Sequence, residues 1–391
     1  MRSRGKPSLH SVRVLSLNVW TSPERLLERT EEIAAGILQL DPAVACLQEV
    51  SNVKAKQLLR ERLSPRYHML CSEHTELAFP ALTWVPALLF ALLTHGALAW
   101  WFGGSGAIPR AAAALGLALS AALTPRPLFL LLRFLLIRQR GDPLTLRGLF
   151  PKVDLMGQCI LVRRGPRGWA AATVVSVQPF PAHLRGYPTP TSVRQWPEYW
   201  IQHCLLRPGC FIVRCEGVRG GGGGGGSDAL LVASAHLVVS APGTSVNARR
   251  LAQVQQLHAA IAAVQRLPGG DDATVVCCGD FNAPDDSAEI RWLSGPAGGF
   301  VDAAATAATT PRPRFLTWDS ALNANTQSDP GEPDARLDYV FARAAGGGGP
   351  VSVSRCTRVF DGGAGHVGED STGALPIVSD HFGVLADVTI G

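Results

Sequence analysis

The 391-residue chain has no block of consecutive lysines and arginines, although its formal charge is +5. The positive charge is arginine scattered along the chain, a poor footprint for nucleic acid. Paired cysteine motifs are missing too. The nine cysteines, an odd number, include no pair at zinc-ligand spacing with a second pair to match it. Several lie in apolar runs that read as buried strands, so the expectation is of free, buried thiols in a reducing compartment. Residues 1–15 lack the apolar core of a secretory signal. Finally, charge vanishes from Phe79 to Phe102, 24 residues without Lys, Arg, Asp or Glu.

That last absence divides the chain. The run reaches the ~20 residues a helix needs to span a bilayer. Trp84, Trp100 and Trp101 lie near its ends, as interfacial anchors do. A second, Ala-rich run from Ala111 to Ile137 is broken by Pro125-Arg126-Pro127 and by Arg133. Its tail, Leu128 to Arg140, sets Arg133, Arg138 and Arg140 beside Leu and Phe, as in a basic-flanked interfacial helix. The basic tail points that flank to the cytoplasmic face. The alternative is a helical hairpin buried on a soluble domain, but no globular remainder is left to cover so much apolar surface. The expected organisation is a discontinuous catalytic domain, 1–76 with 141–391, carrying an inserted apolar, membrane-associated helical segment at 77–140.

Elsewhere strands and helices alternate. Val12 to Trp20 is alternating and β-branched, which predicts a strand. Thr21 and Glu24 have capping-box spacing before a helix with Leu26, Leu27, Ile33, Ile37 and Leu40 on one face, ended by Asp41-Pro42. Val44 to Val50 predicts a short buried strand ending in a carboxylate. A helix near 54–63 and a strand over Tyr67 to Cys71 follow. Past the apolar segment come strands near 157–163, 172–177, 210–215 and 230–239. A helix over 247–267 carries Leu251, Val254, Leu257, Ile261 and Val264 as its core stripe. Thr274 to Cys278 predicts a buried strand, a short helix lies near 287–293, strands follow at 336–341 and 351–360, and 378–388 closes the chain as a loop running into a strand. The aromatic, Pro-rich loop from Gln178 to Tyr199 is a candidate substrate wall. Glycine runs at 220–226 and 346–349 are flexible tips without chemistry.

Polar residues interrupt these apolar strands or sit at their ends: Asn18, Glu49, His236, Asp280, Asn282, Asp338, Asp380 and His381. Singly, each has an ordinary explanation. A carboxylate after a strand is usually solvated, and a histidine in an apolar run is usually a satisfied core residue. Asp280 and Asn282 stand two apart at a strand end, so alternation lets both face one site; a turn rich in Asp, Asn and Pro is the other reading. Together the eight supply hard oxygen ligands, two imidazoles and amide donors. That set suits Mg²⁺ or Mn²⁺ rather than zinc. It also suits phosphoester hydrolysis, in which a divalent cation neutralises phosphate oxygens, a base activates water and neutral donors hold the developing charge.

Ser-Leu-Asn18, Leu-Gln-Glu49-Val, Ala-His236-Leu, Gly-Asp280-Phe-Asn282-Ala, Arg-Leu-Asp338-Tyr-Val and Ser-Asp380-His381 occur in this order. With them the chain resembles the deoxyribonuclease I-like endonuclease/exonuclease/phosphatase superfamily from Val12 to Ile390, apart from the apolar segment. The resemblance implies a four-layer α/β sandwich, two mostly antiparallel sheets face to face with helices outside, and the predicted elements fit it. It implies Glu49 as the main metal ligand, with Asn18 and Asp380 nearby. It implies His381 paired with Asp338 and acting on the attacking water, Asp280 orienting or deprotonating that water, and Asn282 and His236 contacting the phosphate. The base is either His381 or Asp280. Gly157 to Arg163 resembles the family's Gly-Asn-Ala-Ile-Leu-Ser-Arg strand, with Gln158, Cys159 and Val162 at its variable places.

The superfamily includes nucleases, deadenylases, inositol-phosphate phosphatases and neutral sphingomyelinases, so its motifs report the chemistry and not the leaving group. Leu17-Asn18-Val19-Trp20 is similar to the corresponding stretch of neutral sphingomyelinases. The Asp with a Lys five residues on that marks those enzymes is not matched, since Asp154 is followed at that distance by Cys159. The apolar insertion favours a phospholipid or sphingolipid headgroup as the phosphoester, with no protein partner. A membrane-tethered nuclease or small phosphate-ester phosphatase is one alternative, a catalytically silent scaffold another. The intact set of eight residues speaks against the scaffold.

Overall fold

The structure is a computed structural model that describes residues 10–72, 157–165, 169–180, 209–217, 229–239, 246–268, 273–307, 315–328, 333–345, 350–363 and 375–390. The chain divides into two units, Met1–His74 with Asp154–Gly391, and Thr75–Val153. All described elements belong to the first. The expected apolar segment at 77–140, most of the aromatic loop and both glycine runs lie outside the described residues. Among the described residues no helix is long and apolar enough to cross a membrane.

Twelve strands form two six-stranded sheets. The first contains β1 (His10–Asn18), β2 (Val44–Gln48), β3 (Tyr67–Cys71), β4 (Cys159–Arg163), β11 (Ser352–Val359) and β12 (Gly383–Ile390), in the order β11-β12-β1-β2-β4-β3. The second contains β5 (Trp169–Pro179), β6 (Gly209–Gly217), β7 (Ala229–His236), β8 (Thr274–Asp280), β9 (Val301–Asp302) and β10 (Asp338–Arg343), in the order β5-β6-β7-β8-β10-β9. Each sheet is antiparallel except for one central parallel pair, β1 with β2 and β7 with β8. Helices α1 (Leu26–Leu40) and α2 (Val53–Leu63) cover the first sheet. Helices α3 (Val246–Gln265) and α4 (Ala288–Ser294) cover the second. The expected four layers are all present.

The strands are apolar on both faces because both faces are covered. Alternation sends Leu15 and Leu17 outward to Ile33, Ile37 and Leu40 of α1, while Val12 and Val14 meet Val213, Val232 and Val276 of the opposite sheet. On α3 the stripe Val254, Leu257, Ile261 and Val264 is buried as expected, with Leu251 half-buried. The eight described cysteines are buried, and the sulfurs of Cys71 and Cys159 lie 2.9 Å apart. Burial pushes the thiols of Cys210 and Cys356 up to about 12, so they act as small apolar fillers.

The inner faces change character toward one end. On β1 the inward series runs Val12, Val14, Ser16, Asn18. On β2 it runs Val44, Cys46, Gln48, on β7 Leu230, Val232, Ser234, His236, and on β8 Val276, Cys278, Asp280. A dry core thus becomes polar within two residues in all four strands. The Gln48 amide crosses between sheets to the Ser234 hydroxyl at 3.4 Å. Gln158 donates to the Gly209 carbonyl at 2.8 Å and ties the two sheets at the same end.

One expected element starts differently. The capping box of Thr21 and Glu24 is not formed; α1 begins at Leu26 after Arg25 in the left-handed region, without a side-chain cap. The Thr21 N–H is used elsewhere, donating to Glu49 Oε2 at 2.9 Å. Leu27, placed on the core face by spacing, is 46% exposed in the first turn of α1. Asn52, by contrast, caps α2 by accepting from Lys54 and Ala55 N–H.

Gly279 sets the close approach of β7 and β8. Its φ is +147°, and a Cβ there would stand 1.8 Å from the Ala235 carbonyl oxygen. Gly279→Ala is therefore expected to destabilise the fold by about 3 kcal/mol, through forced separation of a buried backbone pair. Urea unfolding checks this; a change under about 1 kcal/mol would show that the strands part freely.

Candidate active site

The polar ends of the central strands bring the sequence-predicted residues together. In the second sheet, Asp280 at the end of β8 is opposite His236 of β7 on one side and Asp338 of β10 on the other. In the first sheet, Asn18 ends β1 beside Gln48, and Glu49 follows directly in the left-handed region at φ 64°. Asp380 and His381 precede β12, which pairs with β1.

Asp280 is the point where these segments meet. Its Oδ2 accepts from Asn18 Nδ2 at 3.1 Å and lies 3.5 Å from His236 Nε2 and 3.8 Å from His381 Nε2. Its Oδ1 accepts the Asn282 backbone N–H at 2.8 Å. The same Asn18 Nδ2 also reaches Glu49 Oε1 at 3.1 Å. His381 Nδ1 is 2.7 Å from Asp338 Oδ2, which fixes the ring so that Nε2 faces Asp280. Ser379 joins Asp380 to the rest: its hydroxyl lies 2.7 Å from the Asn18 carbonyl and 3.1 Å from Asp380 Oδ1.

Asn282 reaches the site by another route than strand alternation. The strand stops at Asp280, and Asn282 adopts φ 48° in an Asx-type turn closed by the Asp280 carboxylate. Its Nδ2 donates to the Leu237 carbonyl at 2.9 Å. His236 is only 1% exposed, so the contact it makes is with Asp280 beneath the surface.

Several residues of the site carried no strong sequence signal. Thr317 accepts the N–H groups of Leu337 and Asp338 at 2.9 and 3.1 Å and so sets the start of β10. Trp318 packs edge-on against the His381 ring, centroids 5.1 Å apart. Asn323 donates to the carbonyls of Ser379 and Asp380, both at 2.9 Å. Arg250 of α3 pairs with the buried Glu289 and donates to the Asn282 carbonyl. Arg29, in the first turn of α1, is buried and takes up carbonyls from both sides of the site. The serine beside Asp380 stood within a motif the sequence marked; a lone arginine on an amphipathic helix and an asparagine in a loop look like solvated residues.

The electrostatics follow from burying so many acids together. Burial, with the neighbouring carboxylates of Glu49 and Asp280, lifts Asp380 to about 7 against the opposing pull of His381. Burial alone would lower the His381 pKa; the carboxylates of Asp338, Asp280 and Asp380 outweigh it and raise it well above the usual histidine range. Asp338 is likewise raised by burial, so the pair keeps a proton between Nδ1 and Oδ2. A divalent cation fits this donor set. Glu49 and Asp280 converge on one point, now taken by the Asn18 amide, and the Asp338 Oδ1 is buried without a hydrogen-bond partner. Atoms of Asp280, Asp338 and His381 lie within 4.8 Å of one another and form a second group able to hold a metal. Oxygen donors in this number suit a hard cation.

Among solved structures the chain is similar to D. rerio TDP2 complexed with single-strand DNA product, at 16% identity, TM-score 0.52 and coverage of 97% of this chain and 98% of that one. It is similar to truncated Caenorhabditis elegans TDP2 with the same identity, score and coverage. An endonuclease/exonuclease/phosphatase family protein from Bacteroides thetaiotaomicron matches at 14% identity and TM-score 0.51, covering 98% and 99% of the two chains. At these identities the likeness is one of fold. No protein with a curated description matches the sequence. The sequence profile of the Endonuclease/Exonuclease/phosphatase family matches residues 15–381, from the middle of β1 to the site histidine. The chain therefore belongs to the Endonuclease/Exonuclease/phosphatase family, whose members are metal-dependent phosphoester hydrolases.

Proposed function

We propose that the protein is a membrane-associated phosphodiesterase, dependent on Mg²⁺ or Mn²⁺, that cleaves the headgroup of a phospholipid or sphingolipid. The observation that carries this reading is where the apolar insertion joins the catalytic domain. The described chain leaves at Ser72 and returns at Gly157, and these flanks sit beside Glu49. The Val50 N–H donates to the Gly157 carbonyl at 2.9 Å, and the Ser72 N–H to the Gln158 carbonyl at 3.0 Å. A segment rooted there that enters a bilayer, with 24 consecutive uncharged residues between Phe79 and Phe102, brings the metal-binding rim to the headgroup layer. Leu322 supports a lipid-facing rim. It is 47% exposed and next to Asn323, which holds Ser379 and Asp380. In this reading 77–140 is the membrane segment, and 1–76 with 141–391 form the catalytic domain on its cytoplasmic side.

On this reading the residues take the following roles, which the contacts of the site support. A cation held by Glu49, with Asn18 and Asp380, would neutralise the phosphoryl oxygens. Asp338 fixes the tautomer and direction of His381, and His381 with Asp280 handles the proton of the attacking water. Asp280, whose Oδ2 lies 3.8 Å from His381 Nε2, would orient that water. His236 and Asn282 hold Asp280 in turn, and Asn282, on the half-buried turn, faces the phosphate. A nuclease on the same chemistry is the competing outcome, and the substrate test separates them.

Purified full-length protein in mixed micelles is expected to release headgroup from sphingomyelin, lysolipids or phosphatidylinositol phosphates when Mg²⁺ is present, and to leave single-stranded DNA and RNA intact. Glu49→Ala should abolish the release. Cleavage of nucleic acid with no lipid turnover would sink the lipid assignment, and full activity of Glu49→Ala would sink the metal assignment. Deleting 77–138 should move the protein from the membrane pellet to the supernatant; continued sedimentation with membranes would show that another segment is the anchor.

His381→Ala should lower kcat by about 10²–10⁴-fold with the fold intact, and Asp338→Asn should fall in the same range because the ring loses its tautomer lock. Steady-state kinetics on bis-p-nitrophenyl phosphate, with circular dichroism as the folding check, decide it. A loss of tenfold or less in His381→Ala would leave Asp280 as the base.

A further inference from the structure

Arg29 lies in the first turn of α1, 4% exposed, with no carboxylate at salt-bridge distance among the described residues. Its guanidinium instead spends its donors on five backbone carbonyls. Nε donates to Glu24 at 2.9 Å. One terminal nitrogen donates to Val19 at 3.0 Å, Trp20 at 3.4 Å and Val378 at 2.9 Å; the other donates to Ser22 at 2.7 Å and Trp20 at 3.3 Å. The Trp20 ring covers the guanidinium at 4.7 Å. Four of the five carbonyls belong to the loop that leaves β1, and the fifth belongs to the loop that enters β12. These are the two segments whose side chains and backbone surround the metal-binding group. The first carries Asn18, whose Oδ1 accepts the Trp20 N–H, and Thr21, whose N–H holds Glu49. The second carries Ser379, Asp380 and His381.

We infer that Arg29 is a positioning residue for metal binding, clamping the 19–24 loop to the 378–381 loop so that Glu49, Asn18 and Asp380 are held at one separation. The planar fork is what the role needs. Five donors in fixed directions reach carbonyls on two segments at once, whereas a lysine has a single nitrogen and can serve only part of the set. Leaving those buried carbonyls without donors costs the segments their mutual register. The inference rests on metal-dependent hydrolysis and is independent of the lipid substrate.

The test compares the full chain with Arg29→Lys, Arg29→Met and, as a half-buried arginine control away from the site, Arg163→Lys, which weakens the pair with Asp41. Two readouts are taken across a Mg²⁺ titration: the rise in thermal unfolding temperature, and the Mg²⁺ concentration giving half-maximal hydrolysis of bis-p-nitrophenyl phosphate. Both Arg29 variants should need at least about tenfold more Mg²⁺ in both readouts, with Arg163→Lys at the unsubstituted value. Lower stability with an unchanged Mg²⁺ requirement, or an equal change in the control, overturns the clamp. If the unsubstituted chain shows no Mg²⁺ effect, the metal reading falls and the clamp with it. Should the variants not fold, hydrogen exchange on the unsubstituted chain decides: Mg²⁺ should protect residues 19–24 and 378–381 together, and protection of one segment alone overturns the proposal.

Discussion

Burying the Asp280 carboxylate is the constraint from which the rest of the site follows. It stands directly opposite Asp338 in the ladder, and like charges across a strand pair repel. Both acids are buried, so water cannot soften the repulsion. The structure offsets it with donors from separate parts of the chain. Asn18 comes from the first sheet, His236 from the neighbouring strand, the Asn282 N–H from the following turn and His381 from the loop before β12. None of these is local except Asn282. The site is therefore a product of the packed sandwich and cannot form in one half of it. That dependence also explains why the polar ends of all four central strands lie on the same side. A charge cluster of this kind is tolerable only where a large apolar interface fixes its donors in place.

Much of this was legible because the code for it is short-range. Period-two alternation and uninterrupted apolar runs identify strands buried on both faces, and β1, β2, β7, β8, β10 and β12 lie where those patterns put them. The eight polar residues stood out because each breaks such a run. What the pattern could not carry was anything set by left-handed backbone or by long-range packing. Asn282 belongs to a turn with φ 48° and not to the strand, so alternation explains its neighbour and not itself. The Thr21 N–H serves Glu49 instead of helping a helix cap, because a carboxylate needs donors more than a frayed helix end does. Arg29 and Asn323 look like solvated residues until the carbonyls they serve, one of them some 350 positions away in sequence, are brought beside them.

The position of the apolar insertion is physically economical. It extends the turn of the β3–β4 hairpin, and β3 is the edge strand of its sheet, so no central ladder is interrupted. Loop-closure entropy rises by only about 0.6 kcal/mol for each doubling of length, and a long segment can be accommodated there at small cost to the fold. The register of the hairpin is kept by pairing from Tyr67 with Arg163 to Cys71 with Cys159. Gly157 adds a close contact: its φ is 65°, and a Cβ there would come within 2.5 Å of the Val50 backbone. A side chain at that position would push Val50 away and Glu49 with it. Where the described chain resumes, it is thus glycine for a reason that concerns the position of Glu49.

That coupling bears on how substrate access and catalysis are connected. The Glu49 carboxylate is held on three sides: by the Asn18 amide, by the Thr21 N–H, and through its chain neighbour Val50 by Gly157. The first ends β1, directly before the loop that Arg29 grips, the second belongs to that loop, and the third belongs to the root of the insertion. Movement at either root changes the same carboxylate. An insertion anchored in a membrane would therefore do more than raise the local concentration of a lipid. It would bias the geometry of Glu49 through a single backbone hydrogen bond, while Arg29 resists the displacement from the opposite side.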